Sequence, residues 1–139
     1  MDREALKKQL ILDEAIRCRP YSDSVGKLTI GIGRNLTDNG ITKEEALFLC
    51  DGDIARACSD LDEKLPWWSG LDEARQGVLA NMCFNMGISR LLGFRNFLTA
   101  LQAKDYQTAA AEMLKSLWAH EVGDRAKRLE AVMLGGKGP

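Results

Sequence analysis

In the stretch REALKKQLILDE, Leu6 and Leu10 stand four residues apart with Ile11 beside them, which predicts an amphipathic helix over residues 3–14. The segment RPYSDSVGK interrupts that period with turn chemistry from Pro20, Ser22, Asp23 and Gly26. Leu28, Ile30 and Ile32 then alternate and predict a strand over 28–32, anchored by that apolar face. Its other face carries only Thr29, Gly31 and Gly33. Glycine weakens a strand and marks a place where something else comes close. Asn39-Gly40 signals a further turn. Thr42 and Glu45 then form a capping box, with Ile41 placed to staple the helix start. Apolar residues recur at helical spacing from Leu47 through Cys50, Ile54, Ala57, Cys58 and Leu61 to Leu65, and Pro66 ends the run. The implied helix, about 42–65, is roughly 35 Å long and could serve as a spine between two lobes.

The second half of the chain is helical throughout. Asp72 is placed to cap a helix that Gly87 terminates, and its stretch Val78 to Met86 is apolar nearly all round, as in a helix buried on most sides. Shorter helices are predicted at about 95–103, 106–117 with Asp105 as cap, and 124–134 with Asp124 as cap. The terminal GGKGP reads as a frayed end. The fold class is α+β, with a small N-terminal β region (strands confined to about 20–36), a long helix and a mainly helical C-terminal half.

Composition narrows the functional classes. The 139 residues suit one domain able to build a core without metal or disulfide staples, and 45% hydrophobic with 28% charged residues is ordinary for a globular protein. With 19 basic against 20 acidic residues, the net charge of −1 gives no general attraction to nucleic acid or an anionic membrane. MDREALKKQLILDEA has no continuous apolar run, so it reads as neither secretory signal nor membrane anchor. The expectation is a cytosolic protein until something releases it. Cys18, Cys50, Cys58 and Cys83 are scattered without a CxxC pair, and Cys50 and Cys58 would lie roughly 12 Å apart along one helix, too far to bridge. Buried free thiols are expected, and the single His120 has no ligand cluster around it.

The chemistry starts where the stripe of the first helix continues. Leu6 and Leu10 are followed at i+4 by Glu14, a carboxylate on the core-facing side of the last turn. Partial burial and the negative end of the helix dipole would both raise its pKa toward that of a general acid. On spacing alone, a terminal Glu turned to solvent or paired with lysine is the slightly favoured alternative. Asp23 follows in the turn, where aspartate also commonly bonds local backbone. Thr29, unremarkable in a strand, stands beside the glycine floor. Two carboxylates in different environments, a hydroxyl and an open floor are the equipment of glycoside hydrolysis: one acid protonates the leaving oxygen, and the other activates water or offsets positive charge on the sugar.

Glu14, Asp23 and Thr29 stand in the order and spacing of a known triad, and the words LDEA, PYSDSVGKLTIGIG, GITKEEA, LDEARQGVLANMCFNMG, GF, KSLW and RAKR surround them. From about residue 10 to 134 the chain resembles the phage lysozymes, endolysin muramidases of glycoside hydrolase family 24. The resemblance implies a single lysozyme-like domain, 1–139, in two lobes. One lobe would cover about 15–48, the other about 1–14 and 66–134, with the long helix between them. It implies that Glu14 is the general acid on the β-1,4 bond between N-acetylmuramic acid and N-acetylglucosamine. Asp23 and Thr29 would place the attacking water, and the course would be inverting. Gly31, Asn85 and Arg125 would face the sugar, with Arg125 pairing with Glu14 across the cleft; Trp118 would be a core residue. No cofactor or metal is implied. The partners implied are peptidoglycan glycan strands and a holin that releases the enzyme from the host cytoplasm to the wall. A monomer that binds no nucleic acid and does not insert into a membrane is expected.

There are departures from the family pattern. Arg34 replaces a histidine after the glycine floor and Asn35 an apolar residue, and an Arg34–Asp53 ion pair is expected in place of the histidine's. The connection 35–41 is short. Lys115, Arg125, Lys127, Arg128 and Lys137 outnumber Glu121, Asp124 and Glu130, a local excess suited to an anionic wall. The rival from another class is a wall-binding module of the same fold without catalysis. Within enzymes, a lytic transglycosylase would use one acid and no water, leaving Asp23 and Thr29 without a task.

Overall fold

The computed structural model describes residues 1–135; Lys137 and all but Gly135 of the GGKGP segment lie outside the described residues. The first helix, α1 (Arg3–Glu14), starts where Asp2 accepts from the Ala5 N–H at 3.1 Å. Three strands follow: β1 (Arg17–Ser22), β2 (Leu28–Gly31) and β3 (Arg34–Asn35). They form one antiparallel sheet in the order β1-β2-β3, pairing Tyr21 with Thr29 and Thr29 with Asn35. Residues 17–22, whose proline and serine suggested a turn, are therefore a strand. β1 lies at the edge, where a proline need not donate to the ladder, and its register slips between Arg17 and Tyr21, around Pro20.

The short connection 35–41 contains a single helical turn, α2 (Leu36–Asn39). Asn35 accounts for it: its side chain accepts from the Asp38 N–H at 3.0 Å and donates to the Asp38 carboxylate at 2.9 Å. Thr37 ties the turn to the sheet by accepting from the Leu28 N–H at 2.8 Å. The long helix α3 (Lys43–Lys64) then begins at the anticipated capping box. Glu45 N–H donates to Thr42 Oγ1 at 3.1 Å, and Thr42 N–H donates to Glu45 Oε1 at 2.9 Å. Those reciprocal bonds satisfy two of the donors that a helix start leaves open.

After a 3-10 turn at Pro66–Gly70 come α4 (Glu73–Met86), α5 (Ile88–Leu92), α6 (Arg95–Gln102), α7 (Tyr106–Lys115), α8 (Leu117–Val122) and α9 (Asp124–Met133). Asp72 and Asp105 cap α4 and α7 as the sequence predicts. Two expectations are corrected. The helix predicted over 106–117 breaks at Ser116, whose ψ of 152° is extended; its hydroxyl donates to Met113 O and accepts from Ala119 N–H, ending one helix and starting the next. The cap of α9 is Gly123, at φ +55°, and Asp124 is the first helical residue.

Contacts divide the chain into two units, Met1–Leu49 and Cys50–Pro139, the boundary falling inside α3 and α1 grouping with the sheet. The apolar core belongs to the second unit. Trp118, Phe97, Leu61, Leu79, Met82, Leu91, Leu101, Met113, Met133 and Val78 are its largest fully buried side chains. At roughly 1.5–3 kcal/mol for each large apolar side chain, this burial dominates the stability of that unit. Arg75 ties α4 to two other helices: its guanidinium stacks 3.9 Å from the Tyr106 ring centre and its Nε donates to Met133 O at 2.9 Å. In the first unit, Thr29 is the one described residue that is buried. The stripe Leu6–Leu10 is exposed, as are Leu28 and Ile32, so neither apolar face closes a core as expected. Ile30 and Ile32 instead line an open hollow of about 660 Å³ with Ile16, Ile41, Phe48 and Leu49.

Cys83 is buried, and that burial raises its thiol pKa, but Cys18 and Cys50 are exposed, correcting the expectation of buried thiols. No described helix is long and apolar enough to cross a membrane.

Candidate active site

β2 organises the candidate residues of the first unit. At its start, the turn after β1 is closed by Asp23, whose Oδ1 accepts from Val25 N–H at 3.0 Å and Lys27 N–H at 2.8 Å. The Asp23 N–H donates to Lys27 O at 2.9 Å. Thr29, only 4% exposed, donates from Oγ1 to that same Lys27 carbonyl at 3.0 Å. Asp23 and Thr29 are therefore joined through the two backbone groups of Lys27. The local-backbone role of Asp23 is real, and it engages one carboxylate oxygen. The Thr29 hydroxyl proton is committed, which leaves its oxygen lone pairs as acceptors for a water.

At the other end of β2 the glycines behave differently. Gly31 (φ +71°) pairs with Arg17 and has open space where a side chain would stand. Gly33 (φ +73°) does not: a Cβ there would lie 3.1 Å from the Cδ of Glu14. The expectation that both glycines clear a floor for a ligand is corrected. Gly31 leaves open space, and the room at Gly33 is filled by the Glu14 carboxyl group.

Glu14 is the last residue of α1 and is exposed rather than partly buried, because the stripe it continues is itself exposed. The chain leaves it through Ala15, at φ +61° and ψ 169°, with the Ala15 N–H held by Ile11 O at 2.8 Å. A residue with a Cβ in that region carries strain of about 1–3 kcal/mol, and such strain clusters at functional sites.

Arg34 departs from expectation in its partner. It donates to Glu45, not Asp53, through a bidentate pair of 2.8 and 2.6 Å, and Nη1 also reaches Gly40 O at 3.2 Å. Glu45 lies on the first turn of α3, where it also closes the capping box, so the Arg34 guanidinium of β3 joins the Gly40 turn to the start of α3. That guanidinium, seconded by the Thr42 N–H, lowers the Glu45 pKa to about 2. Because the folded value lies below the ordinary 4.5, the stabilisation is present above about pH 4.5 and is lost as pH falls toward 2. Glu45→Gln should therefore melt below wild type at pH 7, with the gap closing as melts are repeated down to pH 2.5. A gap that does not change with pH would show that the pair contributes nothing through its charge.

In the second unit, Asn85 and Arg125 are each held by one side chain. The fully buried Trp118 donates its indole N–H to Asn85 Oδ1 at 2.6 Å, leaving the exposed amide group of Asn85 free to point outward. Arg125, near the start of α9, donates from Nε to Asn81 Oδ1 at 2.9 Å. Glu121, an alternative partner for Arg125, is taken by Arg90 at 2.8 Å. Arg125 and Asn81 line a recess of about 330 Å³ with Cys50, Ile54, Ala57 and Phe84. Sequence reasoning missed Asn81. It lies four residues before Asn85, one helical turn away, and that spacing was the available signal. Among the described residues, no group of three or more His, Cys, Asp or Glu could hold a metal ion.

Comparison with known proteins identifies relatives of the chain. The chain is 31% identical to the pre-baseplate central spike protein Gp5 of Enterobacteria phage T4, over 95% of its own length but only 28% of that protein's. It is 28% identical to probable T4-type lysozyme 2 of Dictyostelium discoideum, covering 92% of each chain. Probable T4-type lysozyme 1 of the same organism is 26% identical, over 93% of each. The sequence model described as phage lysozyme matches residues 12–132, and the chain belongs to the phage lysozyme family.

Proposed function

We propose that the protein is a muramidase, hydrolysing the β-1,4 bond between N-acetylmuramic acid and N-acetylglucosamine in peptidoglycan. One observation carries the reading: the turns that flank β2 each meet a carboxyl group, Asp23 at Lys27 and Glu14 at Gly33, and the Thr29 hydroxyl is tied to the same Lys27 backbone as Asp23. Glu14 donates its proton to the leaving glycosidic oxygen. Asp23, with one oxygen committed to backbone, uses the other to orient water and to offset the oxocarbenium charge. Thr29 accepts a hydrogen bond from that water.

The course is inverting, as the resemblance implies, with a water between the two carboxylates. Gly31 leaves room for the sugar ring, and Asn85 and Arg125 are the glycan-binding candidates of the second unit. The enzyme acts as an endolysin, released from the host cytoplasm with a holin's help, and needs no cofactor. A wall-binding module would have no use for a threonine hydroxyl held beside a turn carboxylate.

The test is digestion of purified peptidoglycan followed by mass spectrometry of the fragments. Products ending in reducing N-acetylmuramic acid are expected. Anhydro ends would convert the reading to a transglycosylase, and intact glycan to a binding module.

A further inference from the structure

We propose that Gly33 is a positioning residue whose missing side chain forms the seat of the Glu14 carboxyl group. The inference rests on reading Glu14 as the acid, and deepens it. A Cβ at position 33 would lie 3.1 Å from Glu14 Cδ, 3.2 Å from Cγ and 3.2 Å from Oε2. Carbon atoms pack best at about 3.5–4.0 Å, so even a methyl group would push the carboxyl end out of its present place by a few tenths of an ångström. Most of the other glycines on the left-handed side of φ have open space at that place, Gly31 and Gly40 included.

The seat is fixed from both sides. Behind Glu14, Ala15 is held at φ +61° by its hydrogen bond to Ile11 O, which sets the direction in which α1 delivers the side chain. In front, Gly33 is fixed by the tight turn between β2 and β3, whose first pair is Ile30 with Arg34. Arg34 is clamped in turn to Glu45, so the turn has little freedom to retreat. Glu14, by contrast, ends in a flexible chain. When the seat is filled, the carboxyl group moves and the backbone stays. The consequence is kinetic: a displaced acid misses the leaving oxygen, while the surfaces that hold the glycan are untouched.

Gly33→Ala should therefore lower kcat at least tenfold and leave KM within about twofold. It should also shift the carboxyl-carbon NMR resonance of Glu14 in the free enzyme. Gly40→Ala is the control: it places the same methyl group at a positive φ, +58°, with nothing within 4 Å. It should cost comparable thermal stability and leave kcat and the Glu14 resonance as in wild type. Equal losses of kcat in both variants, or an unmoved Glu14 resonance in Gly33→Ala, would overturn the proposal. A moved resonance with wild-type kcat would also overturn it, and Glu14→Gln then locates the fault. Activity retained there too means that Glu14 is not the acid; activity lost there means that the acid tolerates displacement.

Discussion

Glu14→Gln should leave the protein folded and stop it clearing outer-membrane-permeabilised Gram-negative cells, with a loss of about 10²–10⁴-fold in rate. The amide keeps the shape of the side chain and its place against Gly33, but it has no proton to give the leaving oxygen. Because Glu14 is exposed, the isosteric substitution removes no packing and leaves no buried group unpaired. Thermal melting should therefore stay within about 0.5 kcal/mol of wild type, the range of ordinary surface changes. Turbidity loss and melting temperature measured on the same preparation make the comparison. Equal clearing by both proteins would remove Glu14 from the mechanism, and with it the donor that distinguishes a hydrolase from a wall-binding module of the same fold. A large fall in melting temperature would instead mean that the carboxylate is a structural group, and the loss of activity would then carry no mechanistic weight.

What could be read from sequence, and what could not, divides along a physical line. Signals confined to a few residues were legible. Thr42 and Glu45 are three apart and cap α3 reciprocally, and Asp72 and Asp105 cap their helices. The turn at Asp23 was legible for the same reason. Contacts between distant residues were not. Arg34 had acids to choose from on α3, and the choice of Glu45 depends on a sheet and a helix start meeting, which spacing does not encode. Glu14 fills the space at Gly33 from nineteen positions away, so an empty strand face read as ligand room when half of it was already taken. The amphipathic stripe Leu6–Leu10 predicted the helix correctly, yet it could not say what would cover it. Ser116 is the intermediate case. A serine before an apolar run is a helix-start signal, but the period of the preceding helix ran through it and hid the break.

Trp118→Ala should destabilise the protein far more than the loss of any surface charge, by about 3–5 kcal/mol. The indole is fully buried and anchors α8 within the core of the second unit, beside helices that contribute Met113 and Met133. Removing it leaves a cavity that neighbours held in separate helices cannot all close. A drop in melting temperature of at least about 10 °C is expected for a chain of this size. Trp118→Phe separates the two roles of the ring. It keeps most of the packing and loses, with part of the ring volume, the N–H that Asn85 Oδ1 accepts. Asn85 is exposed and can turn to water, so the lost bond should cost only about 0.5–1.5 kcal/mol. Its effect should show in catalysis instead: an amide no longer held by the indole can flip, and the group it offers to the sugar is no longer defined. The expected result is a raised KM for peptidoglycan fragments with little change in melting. If Trp118→Phe melts as low as Trp118→Ala, the hydrogen bond matters more to the core than the volume of the ring does. If both KM and stability stay at wild-type values, Asn85 has no part in holding the glycan.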